Sequence, residues 1–130
     1  MRIRVVCPEH LAYEGEAAFV ALPSTDGELG ILPSHSSEIC TVKSGYVRVC
    51  DQQMGEVSHV FAVAGGYAQI ADDEVIILAE RAENMDDVDA SEVKAQLQGF
   101  EDALSKLSED DAHRAYLYNE IAWCKRLLSH

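Results

Sequence analysis

The sequence is short of positive charge. Ten lysines and arginines stand against 23 aspartates and glutamates in 130 residues, for a net charge of −13. Such a chain repels nucleic-acid phosphates and anionic headgroups, so no nucleic acid is expected as a partner and any partner drawn by long-range charge is basic. No stretch approaches the ~20 apolar residues of a membrane span. The opening "MRIRVVCPEH" has two arginines but a short apolar run and no small-residue cleavage site. It does not read as a signal peptide, and folding in the cytoplasm is expected. Cys7, Cys40, Cys50 and Cys124 form no C-x-x-C pair. Without a secretion signal they are expected as free thiols rather than a disulfide framework. No Cys or His residues stand at zinc-finger spacing, so no metal is expected.

The signatures of chemistry are also missing. There is no G-x-S-x-G elbow, no H-E-x-x-H, no G-x-G-x-x-G and no G-K-[ST]. His10, His35, His59, His113 and His130 are scattered. His35, Ser36, Ser37 and Cys40 are close in sequence, but a nucleophile and its base must converge in space, which adjacency does not provide. A hydrolase built on His35 and Cys40 is the weakest of three readings, and no catalytic residue is assigned.

What is present divides in two. "IRVV" at 3–6, "AAFVAL" at 17–22, "YVRV" at 46–49, "HVFAV" at 59–63 and "VIILA" at 75–79 are short and rich in β-branched or aromatic residues. Asp26-Gly27, Pro33-Ser34, Ser44-Gly45, Gly65-Gly66 and Asp72-Asp73 read as turns between them. Short strands with no helix between them suggest a sandwich or barrel. The stretch "DGELGILPSH" at 26–35 reads either as a hairpin with a bulge or as a shaped docking loop. Gly27 and Gly30 allow positive φ or close approach, and Pro33 ends pairing.

Then the period changes. Val93, Leu97, Phe100, Leu104 and Leu107 fall on one helical face, as do Leu117, Ile121, Cys124 and Leu128. Asp102 and Lys106 stand as an i, i+4 pair, and Ser108 to Asp111 looks like a second helix cap. Two amphipathic helices with a short joint predict an antiparallel hairpin. Gly99, inside the first helix, is a weak point or a site of close contact. The acidic linker 83–89 holds the boundary, giving a strand domain over 1–87 and a helical domain over 88–130. The first 88 residues carry a charge of −10 and the rest −3.

Three features carry a resemblance: "EGEAAFVALPSTDGELGILPSH" (14–35), "FAVAGGYAQIADDEVIILAERAE" (61–83) and the two-helix tail. Together, and in this order, they resemble the epsilon subunit of bacterial F-type ATP synthase over nearly the whole chain. The resemblance implies a flattened β-sandwich of about ten strands followed by a helical hairpin. It implies a non-catalytic subunit of the central stalk that couples proton flow to ATP synthesis and regulates hydrolysis. The expected partners are the gamma subunit, the membrane rotor ring of c subunits, and the alpha and beta subunits through the hairpin. The chain would lie on the cytoplasmic face of the cell membrane, peripheral, reaching the membrane only through the complex. Glu28, Gly30 and His35 would face the ring, and Phe61, Gly65, Gly66 and Tyr67 would form the gamma-docking region. The sequence departs from the family at Ser34, where glycine is usual, and at 36–40, where "SSEIC" replaces an alanine–proline pair with apolar followers. The rival reading is a free-standing sandwich and hairpin acting as an adaptor or ligand-binding module.

Some relatives bind ATP in the tail through an I/L-D-x-x-R-A motif. Laid on it, Val88 and Asp89 fit, but Glu92 stands where the arginine should be. A carboxylate repels phosphate where a guanidinium would grip it. Glu83 matches an acidic position near that pocket without restoring the charge. No cofactor is therefore expected, with ATP binding weak or absent, and "VDASEV" reads as a capping box in which Asp89 accepts the N–H of Glu92 and Glu92 reaches back. Inhibition by the hairpin would rest on a narrow basic strip of Arg114, Lys125 and Arg126, since Arg114 and Lys125, three turns apart, share a face.

Overall fold

The computed structural model describes residues 1–129, and His130 lies outside the described residues. Two compact units divide between Asp86 and Asp87. The first contains eight strands: β1 (Arg2–Cys7), β2 (His10–Glu16), β3 (Phe19–Ser24), β4 (Gly27–Ile31), β5 (Glu38–Cys50), β6 (His59–Ala71), β7 (Glu74–Ala79) and β8 (Ala82–Asn84), then a 3-10 turn, Met85–Asp87. They form one continuous ladder in the order β2-β1-β7-β6-β5-β3-β4, with β8 beside β6. Only β1 and β7 pair in parallel.

The ladder folds over itself, because side chains from β1 and from the far strands β3 and β4 share one core. Ile3, Val5, Val20, Leu22, Ile31, Val47, Phe61, Val63, Val75 and Ile77 are all buried in it. The fold-over is written in the parity of β5 and β6. Side chains alternate between faces along a strand. In β6 the core positions are Phe61 and Val63, then Ala68 and Ile70; in β5 they are Val42, then Val47 and Val49. Odd and even exchange roles midway, so each strand presents one face inward in its first half and the opposite face in its second. The exchange occurs at Ser44-Gly45 and Gly65-Gly66, which are paired with Ala64 and Val63 and with Val42 across the ladder. Here the expected turns are corrected. Both dipeptides lie within strands of 13 residues. β6 also changes partner there, from β8 at Phe61–Val63 to β7 at Gly66–Ala71. The eight strands thus do the work of the ten expected, since β5 and β6 each serve both layers.

Gly66 makes the crossing possible. Its φ is +152°, and a Cβ there would sit 1.9 Å from the Leu78 carbonyl oxygen. Only a residue without a side chain lets β7 come this close.

The second unit is the hairpin of α1 (Ala90–Ser105) and α2 (His113–Leu128). Asp89 is the N-cap of α1, accepting from the Ser91 N–H at 3.0 Å, the Ser91 hydroxyl at 2.7 Å and the Glu92 N–H at 3.4 Å. These bonds hold its carboxyl below the ordinary carboxylate range, the Ser91 hydroxyl being the largest cause. The capping box is therefore half built: Asp89 accepts the Glu92 N–H as expected, and the further bond it gains is donated by the Ser91 hydroxyl, not supplied by Glu92 reaching back. The second cap also shifts. The N-cap of α2 is Ala112 with no side-chain bond, and the Asp111 carboxylate takes the His113 N–H at 2.9 Å. Asp102 accepts from the Gln98 amide at 2.9 Å rather than pairing with Lys106. Val93 is buried on α1, and Leu117, Ile121, Cys124 and Leu127 on α2. Leu127 was absent from the expected stripe, and Leu128 is half-buried. Gly99 touches nothing where a Cβ would project, so it is a tolerated weak point. Among the described residues no helix is long and apolar enough to cross a membrane.

Candidate functional site

Residues 26–35 are a strand and a turn, not a loop. Thr25 and Asp26 close a two-residue hairpin between β3 and β4, with Ser24 paired to Gly27. Gly27, the first residue of β4, has a φ of +111° that glycine adopts without strain, and the register shows no bulge. Glu28 is exposed on β4, where Arg48 of β5 holds it in an ion pair. Gly30 lies beneath the Phe19 ring, whose nearest atom is 2.9 Å from where a Cβ would stand. His35 follows in the next turn, its Nδ1 2.8 Å from the Ser36 carbonyl oxygen and its Nε2 4.0 Å from a Glu38 oxygen. Glu28, Gly30 and His35 thus sit on one edge strand and the turn beyond it. Ser34 in that turn has φ +66°, a left-handed conformation that glycine adopts without strain. Its N–H is held by Asp73 at 3.2 Å.

The second group separates. Phe61 has no exposed surface and packs at 5.0 Å, centroid to centroid, on Tyr13. It supports a surface and is not part of one, since its parity directs it into the core. Tyr67, after the parity exchange, is 60% exposed. It belongs to a row running across the outer face: Leu11 pairs with Val6, Val6 with Leu78, and Leu78 with Tyr67. Leu11 and Leu78 are each about half exposed. Beside them Val6, Cys7, Pro8, Tyr67, Leu78 and Glu80 line a depression of about 410 Å³. Adjacent apolar side chains left open to water mark a contact surface more clearly than scattered ones. The sequence reasoning named Tyr67 and missed Leu11, Val6 and Leu78. The alternation Tyr67-Ala68-Gln69-Ile70, carried across a paired strand, was the available signal.

Cys7 and Cys40 are not activated thiols. Cys7, Cys40 and Cys50 take part in no disulfide. Burial, with the Glu38 charge behind it, pushes the Cys40 thiol up. Burial likewise raises Cys7. A nucleophilic cysteine requires the opposite shift. Among the described residues no base is bonded to Cys40, and His35 is turned to Ser36 and Glu38.

In the nucleotide motif, the Asp89 carboxylate is occupied as the cap of α1, and Glu92 is in its first turn. Glu83 is exposed on β8, in the other unit. The basic strip of α2 is also narrower than the spacing implied. The Arg114 guanidinium donates to the Leu107 carbonyl at 3.4 Å and the Tyr118 hydroxyl at 2.9 Å, so it straps the joint of the hairpin. The basic residues of the last turn are Lys125 and Arg126.

Comparison with known proteins fits this architecture. Residues 1–85 match the family described as ATP synthase, delta/epsilon chain, beta-sandwich domain. The ATP synthase epsilon chain of Desulforamulus reducens is 42% identical over 115 residues, covering 88% of this chain and 85% of that one. That of Hyphomonas neptunium is 33% identical over 129 residues, covering 99% and 94%. Among solved structures, a chain of the Euglena gracilis mitochondrial ATP synthase shares the fold with a TM-score of 0.72 at 20% identity, covering 98% of this chain and 78% of that one. A chain from the Tetrahymena thermophila mitochondrial enzyme does so at 0.57 and 14% identity, covering 99% and 94%. With a sandwich family matched over residues 1–85 and epsilon chains matched over 88% and 99% of the chain, the chain belongs to the ATP synthase epsilon-chain family.

Proposed function

We propose that this chain is the non-catalytic epsilon subunit of an ATP synthase rotor, peripheral to the membrane on its cytoplasmic face. The observation that carries the proposal is the 42% and 33% identity to bacterial epsilon chains over 115 and 129 residues. Gamma docks on the outer face of the sandwich, along Leu11, Val6, Leu78 and Tyr67, with the Gly65-Gly66 crossing setting the lie of Tyr67. The β4 edge and the turn after it, with Glu28 and His35, meet the polar loops of the c-ring. The hairpin reaches alpha and beta through the second helix, where Lys125 is exposed, a contact that added salt weakens because exposed charges are screened. ATP binding by the free chain is weak or absent, for Asp89 caps a helix and Glu92 adds a repelling charge. Two domains, 1–87 and 88–130, divide these tasks. The test is a pull-down of the tagged chain from its own membranes. Gamma and the ring subunits should follow it, with Tyr67→Ser reducing recovery of gamma. Recovery of the chain alone, or with unrelated proteins, overturns the reading in favour of a free-standing adaptor.

A further inference from the structure

Glu28 stands on β4, a strand of five residues at the end of the ladder with β3 as its only neighbour. An exposed glutamate on such an edge samples many rotamers, and a partner must arrest them on docking. Here they are already arrested. Arg48, two strands inward on β5, reaches across β3 and engages the Glu28 Oε1 through its Nη2. The path is open because of what it crosses. Ala21, the β3 partner of Arg48, carries only a methyl group, so the guanidinium passes over it on the diagonal toward Glu28, whose own β3 partner is Pro23. Two strand spacings amount to roughly 10 Å, a span that an extended arginine bridges with help from the glutamate. Phe19 and Pro23, two residues either side of Ala21 on the same face of β3, flank the path. Phe19 also closes over Gly30, where its ring would be 2.9 Å from any Cβ.

Such a pair contributes little to folding, because both partners are nearly half exposed. What it fixes is direction. A guanidinium gripping one carboxylate oxygen leaves Oε2 as the acceptor for an incoming donor. We propose that Arg48 is a positioning residue of the docking edge, holding the Glu28 carboxylate in the orientation in which it meets the ring. This rests on the docking role given to Glu28 above.

The experiment uses the assembled complex carrying Glu28→Gln, Arg48→Gln, Arg48→Lys or the double Glu28→Gln/Arg48→Gln subunit. The readouts are proton-driven ATP synthesis, affinity of the subunit for a complex depleted of it, and affinity for isolated gamma. Arg48→Gln should lower synthesis and complex affinity up to about tenfold, the scale of one charge-assisted contact, and leave gamma affinity unchanged. Arg48→Lys should restore most of the loss. In the Glu28→Gln background, Arg48→Gln should add nothing. A loss of equal size in both backgrounds, or a fall in gamma affinity, overturns the proposal by showing that Arg48 acts apart from Glu28 or on the fold. Loss with Glu28→Gln but none with Arg48→Gln overturns it while sparing the docking role. No loss with either removes the docking role and the proposal together.

Discussion

Gly66→Ala is the substitution that tests the crossing of β6 most directly. At φ +152° an alanine takes a backbone conformation that costs ordinary residues about 1–3 kcal/mol. Its Cβ would also fall 1.9 Å from the Leu78 carbonyl oxygen. Both atoms are fixed to backbone, so no rotamer change relieves the overlap. β6 and β7 must part at this row, and each ladder hydrogen bond lost costs about 1 kcal/mol net. The sum is roughly 3–5 kcal/mol, in the diagnostic tail of single substitutions, and a fall in Tm of about 15–30 °C for a unit of this size. Gly55→Ala is the control. Its φ is +97°, but nothing lies within 4 Å of the added Cβ, so it carries the backbone cost alone, about 1–2 kcal/mol. Urea unfolding of both variants followed by far-ultraviolet circular dichroism separates the terms. A loss for Gly66→Ala no greater than for Gly55→Ala would refute the close approach of β7 as the reason for glycine.

Gly99→Ala should stabilise the hairpin by up to about 1 kcal/mol, since the helix gains propensity and the methyl meets nothing; thermal melting of the helical signal would show it, and destabilisation would reveal a contact. The Asp89 cap makes the hairpin sensitive to acid: the lowered carboxyl contributes fully above the ordinary value near 3.9 and is lost as pH falls through its lower folded value. Asp89→Asn should flatten that part of a pH titration of helicity, and an unchanged titration would contradict it. Cys40, raised by burial and by Glu38, should react with iodoacetamide more slowly than a free thiol at pH 7 and faster as pH rises toward its value, with Glu38→Gln speeding it. Ser34→Gly should raise stability by about 1 kcal/mol by relieving the left-handed strain at φ +66°, measured by urea midpoint.

The strand cores and the helical stripes were legible in the sequence because their apolar periods are local. All five apolar runs fall within or across observed strands. β2 was missed, since "HLAYEGE" is mostly polar and only partly buried. At β4 the reading stayed divided between a bulged hairpin and a loop, because two glycines in "GELGI" obscure a strand that pairs at the edge. Ser44-Gly45 and Gly65-Gly66 misled for a related reason. Glycine announces unusual backbone, but whether the chain turns back or passes a close neighbour depends on strands distant in sequence, here β7 and Leu78. The candidate site was legible in part. Tyr67 and Glu28 were named from the sequence and are exposed, whereas Leu11, Leu78 and Arg48 become their neighbours only through the register of the ladder. Phe61 was placed on the surface because a motif string does not record which residues alternate inward.

The two 13-residue strands have a mechanical consequence. In a sandwich of separate sheets the layers meet only through side-chain packing, which can shear as one stacked card slides over another. Here two covalent backbones run from one layer into the other. A load applied on the face of Tyr67 and resisted at the edge of Glu28 is carried along β5 and β6 themselves, with their mutual hydrogen bonds acting as cross-ties. The unit therefore resists torsion as a single stiff body, and its weakest line under twist is the short β8 and the 3-10 turn that lead out of it.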